Sequence, residues 1–143
     1  MKTLKQIIES KKIKELLTIS PSQTVIEALL IMAEYKIGAL LVTDKNKMVG
    51  IISERDYARE IILHKKSSKE TLVKDIMTKK VLSLQPTDSF EKGLEIMSEK
   101  KIRHIPVLKG NKIVGMVSQG DLVKEMINHQ KDLITQLESF IQN

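Results

Sequence analysis

An ungapped internal repeat constrains this chain more than any other feature. A shift of 65 residues carries Pro21 onto Pro86, Leu29 onto Leu94, Ile31 onto Ile96, Met32 onto Met97 and Glu34 onto Glu99. The same register carries Ile37 onto Ile102, Val42 onto Val107, Asn46 onto Asn111, Val49 onto Val114 and Gly50 onto Gly115. It ends on Ser53 with Ser118 and Asp56 with Asp121. Substituted positions keep their character, as Ile52 and Val117 do. One register held over so many positions means two copies of one structural unit.

Each copy reads as strand, helix, strand, strand, helix. The first strand is expected over 16–19 and again over 81–84. A helix follows. Thr24 stands three residues before Glu27, a capping-box spacing, and the second helix starts near Ser89. Val25, Ala28, Leu29 and Met32 recur at helical spacing, as do Phe90, Gly93, Leu94 and Met97, giving one apolar face each. Two apolar runs about a polar turn then read as a hairpin: 37–42 and 48–52 about 44–47, and 102–108 and 113–117 about Gly110-Asn111. Ser53 and Ser118 close the hairpins with hydroxyls suited to cap the next helix.

One such copy is marginal alone. The expected fold is therefore α/β (α+β): two βαββα units, 8–64 and 70–125, packed sheet to sheet about a pseudo-twofold axis. A short segment precedes them, and 64–69 links them. A long amphipathic helix follows over 126–143. Its apolar residues Val123, Met126, Leu133, Leu137 and Phe140 step by three and four, interrupted by Gln130, with Ile127, Ile134 and Ile141 beside them. So wide a stripe must pack on something, and a homodimer is expected.

Composition excludes several classes. The chain has no cysteine, so disulfides and cysteine-based zinc sites are out. No run approaches the ~18 apolar residues of a membrane span, and no apolar run follows the charges at the start, so a cytoplasmic protein is expected. The net charge of +6 invites a nucleic-acid reading, but there is no Trp, only two Tyr and two Phe, and the lysines are spread evenly. They read as a solvated surface, and nucleic acid is not an expected partner. Only three of the 24 basic residues are arginine, Arg55, Arg59 and Arg103. A planar guanidinium is best used where a phosphate or carboxylate is gripped at two points.

Catalytic constellations are missing. There is no dinucleotide fingerprint, Walker loop or nucleophile elbow. His64, His104 and His129 share no metal-ligand spacing. No catalytic residue, metal site or catalytic cofactor is expected, and the chain is not read as an enzyme. What recurs is Gly-apolar-apolar-Ser-x-x-Asp, at Gly50 to Asp56 and at Gly115 to Asp121. There a strand enters a helix, whose free N–H groups and partial positive charge suit a phosphate. The serine can add a hydrogen bond, and the aspartate can accept from two ribose hydroxyls. The glycine admits close approach by a ligand or a neighbouring chain. Serine and aspartate as plain helix caps are the alternative. Two copies in register, with Arg55 inside one and Arg59 a turn later, favour a ligand.

With these motifs the chain resembles a tandem CBS-domain pair, or Bateman module, of the free-standing bacterial type. The resemblance rests on Thr18-Ile19-Ser20-Pro21, Ser83-Leu84-Gln85-Pro86, Asp75-Ile76-Met77-Thr78, Arg103-His104-Ile105-Pro106-Val107 and the two Ser-x-x-Asp strings. It implies ligand clefts between the two units and adenosyl ligands, AMP first, then NAD or ATP. It implies that Ser53 and Ser118 approach phosphate and that Asp56 and Asp121 hold ribose. Thr18, Ser20 and Ser83, with Gly38, Ala39 and Leu40 and with Arg103, His104, Ile105 and Pro106, would flank adenine or reach phosphate. Arg55, replaced by Gly120 in the second copy, makes the two sites unequal. The implied role is a sensor signalling to an unidentified regulated protein. A structural dimerisation module with degenerate clefts is the second reading, and a nucleic-acid-binding protein the third.

Overall fold

The structure, a computed structural model, describes residues 2–11 and 16–142. Residues 12–15, within the expected first unit, and Asn143, the end of the expected last segment, lie outside the described residues. The elements are α1 (Leu4–Glu9), β1 (Thr18–Ile19), α2 (Val25–Tyr35), β2 (Ala39–Asp44), β3 (Lys47–Ser53) and α3 (Glu54–Tyr57), which runs into a π-helical turn (Ala58–Ile62). Then come α4 (Val73–Ile76), α5 (Phe90–Lys100), β4 (His104–Lys109), β5 (Lys112–Ser118) and α6 (Gln119–Gln142). The mixed α+β content is that expected from the repeat, and the long last helix that expected from the apolar stripe near its end.

Local chemistry explains the repeated parts. Thr24 and Ser89 cap α2 and α5 by accepting the N–H of Glu27 and Lys92. Both helices stop on a lysine in the left-handed region, Lys36 and Lys101, each at φ 55°. In the first hairpin Lys45 and Asn46 take φ 51° and 64°, as a type I′ turn requires. β1 lies parallel to β2, with Thr18 opposite Leu41, and β2 is antiparallel to β3.

The second repeat departs from the first at its opening strand. The strand expected over 81–84 is a single parallel bridge, Leu84 with Val107. Leu84 donates to the Pro106 carbonyl at 3.0 Å and accepts from the Leu108 N–H at 2.9 Å. The next rung back would need an N–H from Pro106, which has none. The first repeat has Leu41 at that position.

Packing does not follow the repeat boundaries. α4, which precedes the second repeat, lies on the first. Val73 N–H donates to Gln23 O at 2.8 Å and Lys74 N–H to Pro21 O at 3.1 Å. α1, which precedes the first repeat, lies on the second. Leu4 N–H donates to Asp88 O at 2.9 Å and Lys5 N–H to Pro86 O at 3.0 Å. A shift of 65 carries the acceptors onto each other, but a shift of 69 is needed to carry Leu4 onto Val73. The lead-ins are therefore a repeated part too, displaced from the ungapped register.

Each compact unit has its own buried cluster. Val73 and Ile76 close one with Ile19, Val25, Ala28, Met32, Leu40 and Ile52. Leu4 and Ile7 close the other with Leu84, Phe90, Met97, Ile105, Val117 and Leu122. From Leu122, set over Gly93, α6 runs outward with its apolar stripe exposed. No helix among the described residues is long and apolar enough to cross a membrane.

Leu4 is fully buried, and Leu4→Ala is expected to cost about 2–5 kcal/mol, read as a lowered urea midpoint at unchanged slope.

Candidate ligand site

The two Ser-x-x-Asp strings fold as reciprocal capping boxes. In the first, Asp56 N–H donates to Ser53 Oγ at 3.2 Å and Ser53 N–H donates to Asp56 Oδ2 at 2.9 Å. In the second, Asp121 N–H donates to Ser118 Oγ at 3.1 Å and Ser118 N–H to Asp121 Oδ2 at 2.8 Å. One more contact repeats. Gly38 O accepts Glu54 N–H at 3.0 Å, and Arg103 O accepts Gln119 N–H at 2.8 Å. Each helix start is thus tied back to the beginning of its own hairpin.

The carboxylates differ in what else holds them. Asp56 Oδ2 also accepts Ser53 Oγ at 3.1 Å, while Oδ1 accepts Thr78 Oγ1 at 3.2 Å and the Arg59 guanidinium at 2.6 Å. Four donor groups surround a residue only 3% exposed. Asp56 is therefore buried and fully engaged, as the helix-cap alternative requires and a free ribose acceptor does not. The arginine that grips it is Arg59, in the π-helical turn. Arg55 is exposed on α3.

At the second site Lys11 stands where Thr78 stands at the first. Thr78 uses its N–H on Ile51 O at 2.9 Å and its hydroxyl on Asp56. Lys11 uses its one ammonium for both tasks, reaching Met116 O at 2.9 Å and Asp121 Oδ2 at 2.9 Å. The Asp121 side chain is 24% exposed against 5% for Asp56. His104 lies close by. Burial holds its pKa below 6.5, the Asp121 charge opposes that shift, and Lys11 and Arg103 reinforce it. Asp121 thus pairs with Lys11 and stays partly accessible, near a His104 whose burial favours its neutral form.

The remaining residues fall into two groups. Ala39, Leu40, Ile105 and Pro106 are buried, so the strands offer a ligand backbone rather than these side chains. Thr18 and Ser20 are half-buried beside α2, with Ser20 N–H held by Gln23 Oε1, and Ser83 is exposed. The motif glycines admit chain. A Cβ on Gly50 would stand 2.7 Å from Met77 Sδ and 2.9 Å from Thr78 O, and one on Gly115 3.1 Å from Ile8. Sequence reasoning missed Lys11 and Thr78. A shift of 69 aligns the two lead-ins over residues 4–8 and 73–77 but carries Lys11 onto Lys80, so no sequence register pairs Lys11 with Thr78.

Repeat, capped hairpins and paired acids match one family model, that of the CBS domain, over residues 6–63 and 73–128. The chain belongs to the CBS-domain family. It is 38% identical over 124 residues to the CBS domain-containing protein CBSX3, mitochondrial, of Arabidopsis thaliana, covering 83% of this chain and 60% of that protein's length. A CBS-domain protein structure from Burkholderia ambifaria superposes with TM-score 0.85 at 43% identity, covering 90% of this chain and 96% of that one. The CBS-domain pair of protein MJ0100, solved with 5′-methylthioadenosine and S-adenosyl-L-methionine, superposes with TM-score 0.78 at 25% identity, covering 90% and 98%.

Two outcomes follow for this CBS pair. Asp56→Ala strands Ser53 N–H, Thr78 Oγ1 and Arg59, and is expected to cost about 1–3 kcal/mol. Asp121→Ala costs less, because water reaches that carboxylate; urea unfolding of both variants checks the order. His104 is the second. Its folded pKa lies below 6.5, so as pH falls past about 6.5 the unfolded chain binds the proton first. Stability therefore drops on acidification until folded His104 also protonates. His104→Asn is expected to flatten that part of a melting-temperature profile between pH 7 and 5.

Proposed function

We propose that this chain is a non-catalytic regulatory module that binds an adenine nucleotide at the Asp121 site. The observation that carries this is one accessible carboxylate, able to take ribose hydroxyls, paired with Lys11, able to take phosphate, with Arg103 tied through its carbonyl to the same helix start. The helix start at Gln119 adds backbone N–H groups and a partial positive charge. The adenosyl compounds bound by the MJ0100 pair support the ligand class. AMP fits first, then NAD or ATP, since the cations favour a phosphate over a neutral nucleoside.

The Asp56 site takes ligand second. A ribose there must displace Thr78 or Arg59 from a buried, satisfied carboxylate. Ligand at the Asp121 site would alter the pairing of Lys11, hence of α1, and an unidentified regulated protein would read that change. The protein acts as a homodimer. The second reading, a structural dimerisation module with degenerate sites, draws on the closed capping box at Asp56 and the bare stripe of α6.

A melting screen separates these readings. An adenylate at 100 times its Kd adds about 2.7 kcal/mol of stability, or about 5–10 °C in midpoint for a chain of this size. AMP is expected to shift wild type and GMP not to. No shift by any adenylate at millimolar concentration leaves the dimerisation module standing. Asp121→Ala is expected to weaken AMP binding roughly 10- to 150-fold, the loss of a hydrogen bond to a charged group.

A further inference from the structure

α6 is held to its own unit along one flank only. Leu122 is buried, and the His129 ring meets Phe90 edge-on with 5.9 Å between centroids. These positions are one heptad apart, and Gln136 continues their row; in coiled-coil terms they are g. The opposite flank carries Val123, Gln130 and Leu137 at a, then Met126, Leu133 and Phe140 at d, then Ile127, Ile134 and Ile141 at e. Exposure along it rises from 37% at Met126 to 82% at Phe140. An apolar face of this length, broken at a by Gln130, marks an interaction surface.

We propose that a second copy of α6 covers this face, antiparallel, with Val123, Met126 and Gln130 set opposite Phe140, Leu137 and Leu133 of the other copy. This rests on the homodimer reading and adds its geometry. The flanking rows fix the direction. A parallel pair sets e against g, which places Ile134 against His129 and Ile141 against Gln136. An antiparallel pair sets e against e and g against g, so Ile127 meets Ile134 while His129 meets Gln136. Apolar then faces apolar and polar faces polar.

Charge and dipole agree with that direction. Residues 123–131 carry Lys124, Glu125 and Lys131, a net positive stretch, whereas 132–142 carry only Asp132 and Glu138. Antiparallel pairing lays each stretch beside the other's opposite, and it opposes the two helix dipoles. The register sets every a beside a d and puts the dyad between Lys131 and Asp132. The two Gln130 side chains then lie within about one turn of each other, where their amides can pair. A buried polar residue of this kind fixes register and partner number.

The chain has no cysteine, so introduced thiols report without interference. Met126→Cys and Leu137→Cys are made singly and together in the full chain, oxidised, and run on non-reducing gels. Circular dichroism and melting confirm that each variant folds. The double variant is expected to form a covalent dimer, because Met126 of one copy faces Leu137 of the other. Each single variant stays uncrosslinked, because like positions lie about 16 Å apart along the axis, beyond the ~7 Å that a disulfide spans. Single variants that crosslink as readily as the double overturn the proposal in favour of a parallel pair. No crosslinking in any variant, with wild type sedimenting as a dimer, overturns the α6 seam and leaves the dimer. A wild-type monomer at tens of micromolar overturns both.

Discussion

Each repeat is closed by a segment that belongs, in sequence, to the other. The interaction that permits this is steric. Gly50 leaves room for Met77 and the Thr78 carbonyl, and Gly115 leaves room for Ile8. Any side chain on Gly50 would push against backbone, which cannot give way as a flexible side chain can. Once the lead-ins are seated, Leu4, Ile7, Val73 and Ile76 complete the two buried clusters. They also bring the groups that satisfy the last strand of each hairpin and the aspartate beyond it.

The difference between the two sites descends from that seating. The lead-in on the first repeat delivers Thr78, neutral and short, and Asp56 is left to recruit Arg59 from its own helix. The result is a buried carboxylate with four donors, a good cap and a poor receptor. The lead-in on the second repeat delivers Lys11, whose long stem reaches both Met116 O and Asp121 and leaves Asp121 open to water. Positive charge gathers at the more accessible acid. Under the proposed function, an anionic ligand competes there for a cation held by one half-buried ion pair rather than breaking a fully buried network.

Much of this was legible in the residues. The 65-residue register gave both hairpins, both capped helices and the apolar faces, because each depends on neighbours in sequence. The recurrence of Ser-x-x-Asp gave Ser53, Asp56, Ser118 and Asp121, and the structure makes each pair a capping box. What escaped depends on contacts far apart in the chain. The lead-ins match at a shift of 69, which sets Lys11 on Lys80 and not on Thr78, so nothing in the sequence separates Lys11 from the other lysines. Asp56 and Asp121 look alike within their motifs; the local Arg59 and the distant Thr78 enclose one, while the distant Lys11 leaves the other open. The lost strand at 81–84 could have been read, since Pro106 was in view, but its missing N–H matters only once its neighbour is known.

The central claim is that the accessible acid, Asp121, is the nucleotide receptor. A calorimetric titration of AMP into the purified protein tests it by counting sites. The account predicts one AMP per chain for wild type and for Arg55→Ala, and loss of that event in Asp121→Ala while the protein stays folded. One AMP per chain persisting with unchanged affinity in Asp121→Ala would contradict it.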